Sequence, residues 1–163
     1  MNRIITYTAI CALALVTSCK STHTPVSDTY ATASMRTQCL VNNNDGTIQL
    51  KVWGNGVNLA SAIDNALRNA VNQILFESIS VGPGLRGTTI FPLVSEPNAR
   101  EKFSNFFNHF FASGEYGKYA YNASKSGDIQ TSKSQGRNGA GIVVVVNRAV
   151  LKQALIEEGI LEP

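Results

Sequence analysis

Cysteine, histidine, surplus charge and long apolar runs are all scarce in this chain, and each scarcity closes off a class of function. Three cysteines occur in 163 residues, at positions 11, 19 and 39, too few for a disulfide framework. The two histidines, His23 and His109, lie far apart and form no H-x-x-x-H pair. A metal centre needs clustered imidazole, thiolate or carboxylate ligands, so no metal and no cofactor is expected. Fourteen Lys and Arg stand against eleven Asp and Glu, a net +3 without an arginine-rich run. That balance argues against nucleic acid as a partner. Beyond residue 19 the longest apolar run is 142–146, far short of the ~20 residues that cross a bilayer. No segment repeats at a fixed period.

What the chain does have is an informative start. Met1-Asn2-Arg3 is cationic, residues 4–16 are mostly apolar apart from Thr6, Tyr7 and Thr8, and the small Thr17 and Ser18 precede Cys19. A charged start, a short apolar run and small residues before a cut are the features of a secretory signal. The string Val16-Thr17-Ser18-Cys19 resembles the lipobox of bacterial lipoproteins, an aliphatic residue and two small ones before an invariant cysteine. The resemblance implies diacylation of the Cys19 thiol, cleavage before it, and acylation of the new amino terminus. One chain holds a protein only marginally, whereas two or more make a stable anchor. An ordinary signal peptide with a chance cysteine is the alternative. The expected location is thus a membrane, reached through N-terminal lipid. The outer membrane is favoured because Lys20 after the cysteine is not an aspartate retention signal, and the domain would face the periplasm or the cell surface.

The domain plan follows: residues 1–18 a signal peptide, 19–36 the lipidated Cys19 with a flexible tether, 37–163 one folded unit. The tether is Ser/Thr-rich with Pro25 and no apolar periodicity, so it cannot bury enough surface to order itself. His23 falls within it, as a solvated residue. With Cys11 removed and Cys19 acylated, Cys39 would be the single thiol.

Within 37–163 the patterning points to α+β. Residues 38–41 are either a first edge strand or the end of the tether. The turn formers Asn42-Asn43-Asn44-Asp45-Gly46 then predict a hairpin into a strand over 47–53, where Ile48, Leu50 and Val52 alternate with polar residues. Gly54-Asn55-Gly56 reads as the turn that ends it, and Asn58 as the N-cap of a helix over 59–78. Leu59, Ile63, Ala66, Leu67, Ala70, Val71, Ile74 and Leu75 mark its inward face, and Asp64, Asn65, Arg68, Asn69 and Asn72 the outward one. Stacked Ala62, Ala66 and Ala70 permit close approach to a sheet. A loop from Ser80 to Val94 carries five Gly and Pro residues. A second helix over 98–112 bears an aromatic stripe of Phe103, Phe106, Phe107, Phe110 and Phe111, either core or a face left open for a partner. His109 falls off the stripe. Strands are predicted over 116–122, 128–135 and 142–146, with a turn at 136–141. A last helix covers 148–158, capped by Asn147, with Val150, Leu151, Ala154 and Leu155 inward and Gly159 at its end. The expected architecture is three helices on one face of a three- to four-stranded antiparallel or mixed sheet.

Candidate chemistry is sparse. Gly82-Pro83-Gly84-Leu85-Arg86-Gly87 matches G-x-G-x-x-G, but it follows a helix and contains Pro83, so a phosphate cradle is not expected. Gly82, Gly84, Leu85, Arg86 and Gly87 are instead candidate binding residues of a long loop, a place where binding residues concentrate. Cys39 with His109 could in principle form a nucleophile and base, and Glu96, Glu101, Glu115 or Asp128 a glycosidase pair. Neither has supporting local sequence, so no catalytic residue is assigned. Lys118, Lys125, Lys133 and Arg137 suit a solvated face or an anionic glycan or lipid head group.

The strand 47–53, the glycine turn and the alanine-spined helix are together similar to the N-terminal module of flagellar-assembly T proteins and related small envelope lipoproteins. The whole chain also resembles the small lipoproteins of Gram-negative bacteria. These resemblances imply a non-enzymatic structural or interaction domain that meets another envelope protein. A glycan or small-ligand module using the loop from Ser80 to Val94 is the second reading, and a cell-wall hydrolase the third.

Overall fold

The computed structural model describes residues 37–43, 45–81, 89–134 and 136–163. Its first strand, β1 (Gln38–Asn42), turns back into β2 (Thr47–Gly56), and the two pair antiparallel with a bulge between Cys39 and Val41. The predicted hairpin is therefore present. Asp45 stabilises it, its Oδ1 accepting from the Thr47 backbone N–H at 2.8 Å and from the Thr47 hydroxyl at 2.7 Å.

Ile48, Leu50, Val52 and Gly54 alternate as the buried residues of β2, which sets one face of the strand toward the core. The strand does not stop at Gly54. It continues to Gly56, paired with β5 (Arg137–Asn147) down to Gly56 opposite Asn138. Both glycine clusters read as turns, 54–56 and 136–141, thus lie largely within strands. Gly54 has a reason for its missing side chain that local sequence does not carry. A Cβ there would collide with the Ala62 carbonyl and the Ala66 amide of α1 (Leu59–Phe76), so the helix lies almost on the strand backbone. Ala62, Ala66 and Ala70 have no exposed surface, as the alanine spine predicts.

Helix α1 opens with a capping box. Asn58 Oδ1 accepts from the Ser61 N–H at 2.8 Å, and Ser61 Oγ accepts from the Asn58 N–H at 3.1 Å, satisfying two donors that a helix start leaves without partners. Its far end is also closed, because Leu93 and Val94 donate backbone bonds to Ile74 O and Leu75 O. The polar face is less exposed than its composition suggests: Asn69, Asn72 and Gln73 are buried. Asn69 donates to Trp53 O at 2.8 Å, and Asn72 accepts from Arg100 at 2.8 Å. Conversely Leu59, expected inward, is 43% exposed at the helix start.

The second predicted helix is broken. A short α2 (Ala99–Lys102) and α3 (Ser104–Ala112) meet at Phe103, which has non-helical backbone angles. Phe107, Phe110 and Phe111 are buried, while Phe103 and Phe106 are half-buried against the core. Phe107 meets Phe76 of α1 edge to face at 4.9 Å, a favoured aromatic geometry. The stripe is therefore mostly core, and His109 is exposed. Residues 115–118 form a 3-10 turn instead of a strand, leaving only β3 (Ala120–Asn122) of the predicted 116–122. In β4 (Gln130–Ser134) residues 130–133 are exposed, as expected of a polar edge strand.

Among the described residues the sheet has five strands, one more than the upper expectation of four, ordered β1-β2-β5 with β3 and β4 both along the far side of β5, every strand pair antiparallel. Ile142, Val144 and Val146 face the core, and Val145 on the other face is also buried. α4 (Arg148–Glu157) is capped by Asn147, whose Oδ1 accepts from the Val150 N–H at 3.1 Å. Leu151 and Leu155 are buried, but Val150 is half exposed rather than inward. Gly159 ends the helix with a positive φ, and Ile160 donates back to Leu155 O. Apolar side chains of α1, α3 and α4 join the inner sheet face in one core. The α+β class holds.

Candidate functional site

The loop proposed from sequence is anchored by its ends. Ile79 and Ile90 exchange two backbone hydrogen bonds of 3.0 Å, and Val81 bridges in parallel to Cys39 on β1. Gly82, Gly84, Leu85, Arg86 and Gly87 lie outside the described residues, as does Cys19. The described part of the loop is built into something. Phe91 and Val94 line a solvent-open cleft of about 470 Å³, together with Phe76, Asn98, Arg100 and Glu101.

Each wall has a local cause. Phe76 is the last residue of α1, and the bonds from Leu93 and Val94 to its final carbonyls fold the loop back beneath it. Arg100 lies over the Phe76 ring at 4.1 Å while its Nη2 donates to Asn72. Stacking and a directed bond hold that guanidinium in one place. Asn98 turns the chain into α2 with φ 61°, a left-handed conformation that Asn tolerates better than most residues. On the rim, Glu96 pairs with Lys102 at 2.7 Å, both half solvated, so the pair contributes little to stability. Phe91 is 71% exposed, its carbonyl accepting from Arg148 Nη2 at 3.2 Å. An exposed aromatic ring and a fixed cation lining the same cleft suit capture of a partly apolar ligand.

The sequence candidates for catalysis do not meet here. Cys39 is 1% exposed on β1, and burial pushes its thiol above the ordinary range, partly offset by a backbone bond at Val41. A thiol so placed is neutral at pH 7 and a poor nucleophile. His109 sits on the exposed side of α3. Glu96 and Glu101 border the cleft, whereas Glu115 pairs with Lys118 at 3.4 Å on the 3-10 turn and Asp128 is exposed ahead of β4. Among the described residues no group of three His, Cys, Asp or Glu could hold a metal ion, and no helix is long and apolar enough to cross a membrane.

Sequence reasoning does not single out Phe76, Phe91 and Arg100 as lining one cleft. The only available signal was the mixture of Phe91-Pro92 in the loop with charged residues just after it, which is too common to single out. Comparison with protein-family models, with curated proteins and with solved structures gives no match.

Proposed function

We propose that this chain is a lipid-anchored envelope lipoprotein whose α+β domain acts as a non-enzymatic structural or interaction module, with another envelope protein as its partner. The observation that carries this is the string Val16-Thr17-Ser18-Cys19 directly after the apolar run of residues 4–16. A cysteine acylated there tethers the domain through 19–36 to the membrane, the outer membrane being favoured. Two features of the domain support interaction rather than chemistry. Phe91 is offered to solvent at 71% exposure, and the single predicted free thiol, Cys39, is enclosed in the core.

The cleft favours a second reading. Its volume of about 470 Å³ lies in the range of small-molecule sites, and three of its lining residues, Phe91, Pro92 and Val94, belong to the loop of residues 80–94. A glycan or small ligand stacking on Phe91 is the corresponding function. Complementation of a deletion strain tests both readings, with far-ultraviolet circular dichroism to confirm folding. Folded Phe91→Ser should lose activity in the cell while Cys39→Ala and His109→Ala keep it. Full complementation by Phe91→Ser would remove the cleft from the account. Failure of folded Cys39→Ala would turn attention to the thiol and to hydrolysis.

A further inference from the structure

Trp53 lies on the helix-free face of the sheet, and the cleft makes no use of it. A Cβ at Gly141 would stand 2.7, 2.8 and 2.9 Å from Cε2, Cζ2 and Cδ2 of the indole, with no other atom nearer. Two of these are ring-fusion carbons, so such a point lies above the ring plane. One face of the indole therefore rests on β5, and the other is turned away from the sheet. Trp53 is half-buried. Among the described residues no aromatic ring or cation packs against it, and its Nε1 is neither hydrogen-bonded nor enclosed. The buried apolar side chains of α1, α2, α3 and α4 gather in the core on the opposite face.

Polar side chains share that face. Residues directly opposite one another in a sheet point the same way. The rows Trp53–Gly141–Gln130, Lys51–Val143 and Gln49–Val145–Tyr121 therefore form one surface. Lys51 stands about 7 Å along the strands from Trp53, and Tyr121, 61% exposed, about 14 Å along them. The side chains of Lys51, Gln49 and Gln130 have no hydrogen-bond or ion-pair partner among the described residues. None of the five strands contains Asp or Glu, so the strands set no carboxylate against Lys51. We propose that this face binds an acidic oligosaccharide, with one sugar ring stacked on the outer side of Trp53 and a carboxylate of the ligand at Lys51. The polarised C–H groups of a sugar ring suit the negative face of an indole. The amides of Gln49 and Gln130 both donate and accept, as hydroxyl groups require. A nucleic acid would need cations tracking its phosphates, and among the described residues the paired strands between Trp53 and Tyr121 offer Lys51 alone. A protein partner fits less well, because lysine is depleted at the centre of protein interfaces.

The test uses the full chain purified from bacteria in mild detergent, titrated with hexamers of galacturonic acid and of mannuronic acid. Trp53 is the only tryptophan, so its emission reports on the site itself and should shift to the blue as a sugar covers the ring. The methyl esters of the same hexamers, uncharged at the carboxyls, should bind about fivefold more weakly, the upper range for an exposed ion pair. By calorimetry Lys51→Gln should lose the same factor for the acids and nothing for the esters. Trp53→Ser should bind about tenfold more weakly or worse, taking the ring to stack as a base does on an aromatic. Far-ultraviolet circular dichroism checks each fold, and if Trp53→Ser fails to fold, Lys51→Gln and the natural emission still decide. No binding of either acid, equal binding of acid and ester, binding that leaves the emission unmoved, or full affinity in folded Lys51→Gln would overturn the proposal. Tighter binding of oligothymidylate than of either acid would overturn it in favour of nucleic acid. Emission that shifts with protein concentration alone would overturn it in favour of a second copy on this face.

Discussion

The indole of Trp53 lies across the backbone of Gly141, so near that a Cβ at residue 141 would come within 2.7 Å of the ring. The two residues face each other on neighbouring strands, on the side of the sheet away from the helices. Glycine at 141 lets the only tryptophan of the chain pack flat onto β5. On the opposite face Gly54 does the same for α1. Gly141→Val should destabilise the domain by about 1–3 kcal/mol through forced displacement of the ring, and tryptophan emission should shift to the red as the indole is lifted into water. An unchanged spectrum and urea midpoint would show that the ring has room to spare.

The helix–sheet contact makes a larger demand, because the groups that would collide with a Cβ at Gly54 are backbone and cannot rotate away. Gly54→Ala should therefore lose at least as much stability as Ala66→Leu, for which overpacking is worth about 1–3 kcal/mol. Denaturant unfolding of the two variants measures both. A Gly54→Ala protein as stable as the natural one would mean that α1 can lift off β2 without penalty.

These glycines explain what was legible in the sequence and what was not. The capping box at Asn58, the alanine spine, the 42–46 hairpin and the Asn147 cap each depend on residues within a turn or two of one another, so local pattern suffices. Gly54 and Gly141 answer to Ala62, Ala66 and Trp53 through contacts made only after folding, and a glycine cluster in isolation looks like a turn. Asn69 and Asn72 mark the polar face of a helix by composition, yet Trp53 O and Arg100 reach them and cover them. The cleft joins the end of α1 to residues 91–101, and no local periodicity links those segments.

Loss of the N-cap has a smaller expected effect. Asn58→Ala removes the acceptor for the Ser61 N–H and should cost about 1 kcal/mol, whereas Asn58→Ser should recover most of it. Equal stability of all three proteins would show that water replaces the cap without loss.

Burial of Cys39 carries a pH dependence whose sign can be worked out. Its folded pKa is raised by desolvation, so the native state holds the thiol proton more tightly than the unfolded chain does. The corresponding stability is fully present below the unfolded thiol value, near 8.5, and is lost as pH rises through the folded one. Between pH 8 and 10 the natural protein should lose stability faster than Cys39→Ala. Native protein should also resist a thiol reagent that labels it at once in denaturant. Rapid labelling of the folded protein would place the thiol at the surface.

The proposed membrane anchor depends on acylation of Cys19. Intact mass spectrometry of the protein isolated from bacterial membranes tests it most directly. The expected species begins at residue 19, lacks residues 1–18 and carries the added mass of three acyl chains, and Cys19→Ala abolishes both the added mass and partition into detergent. An unacylated chain that begins elsewhere, or a Cys19→Ala variant that stays on the membrane with its mass otherwise unaltered, would contradict the lipid anchor.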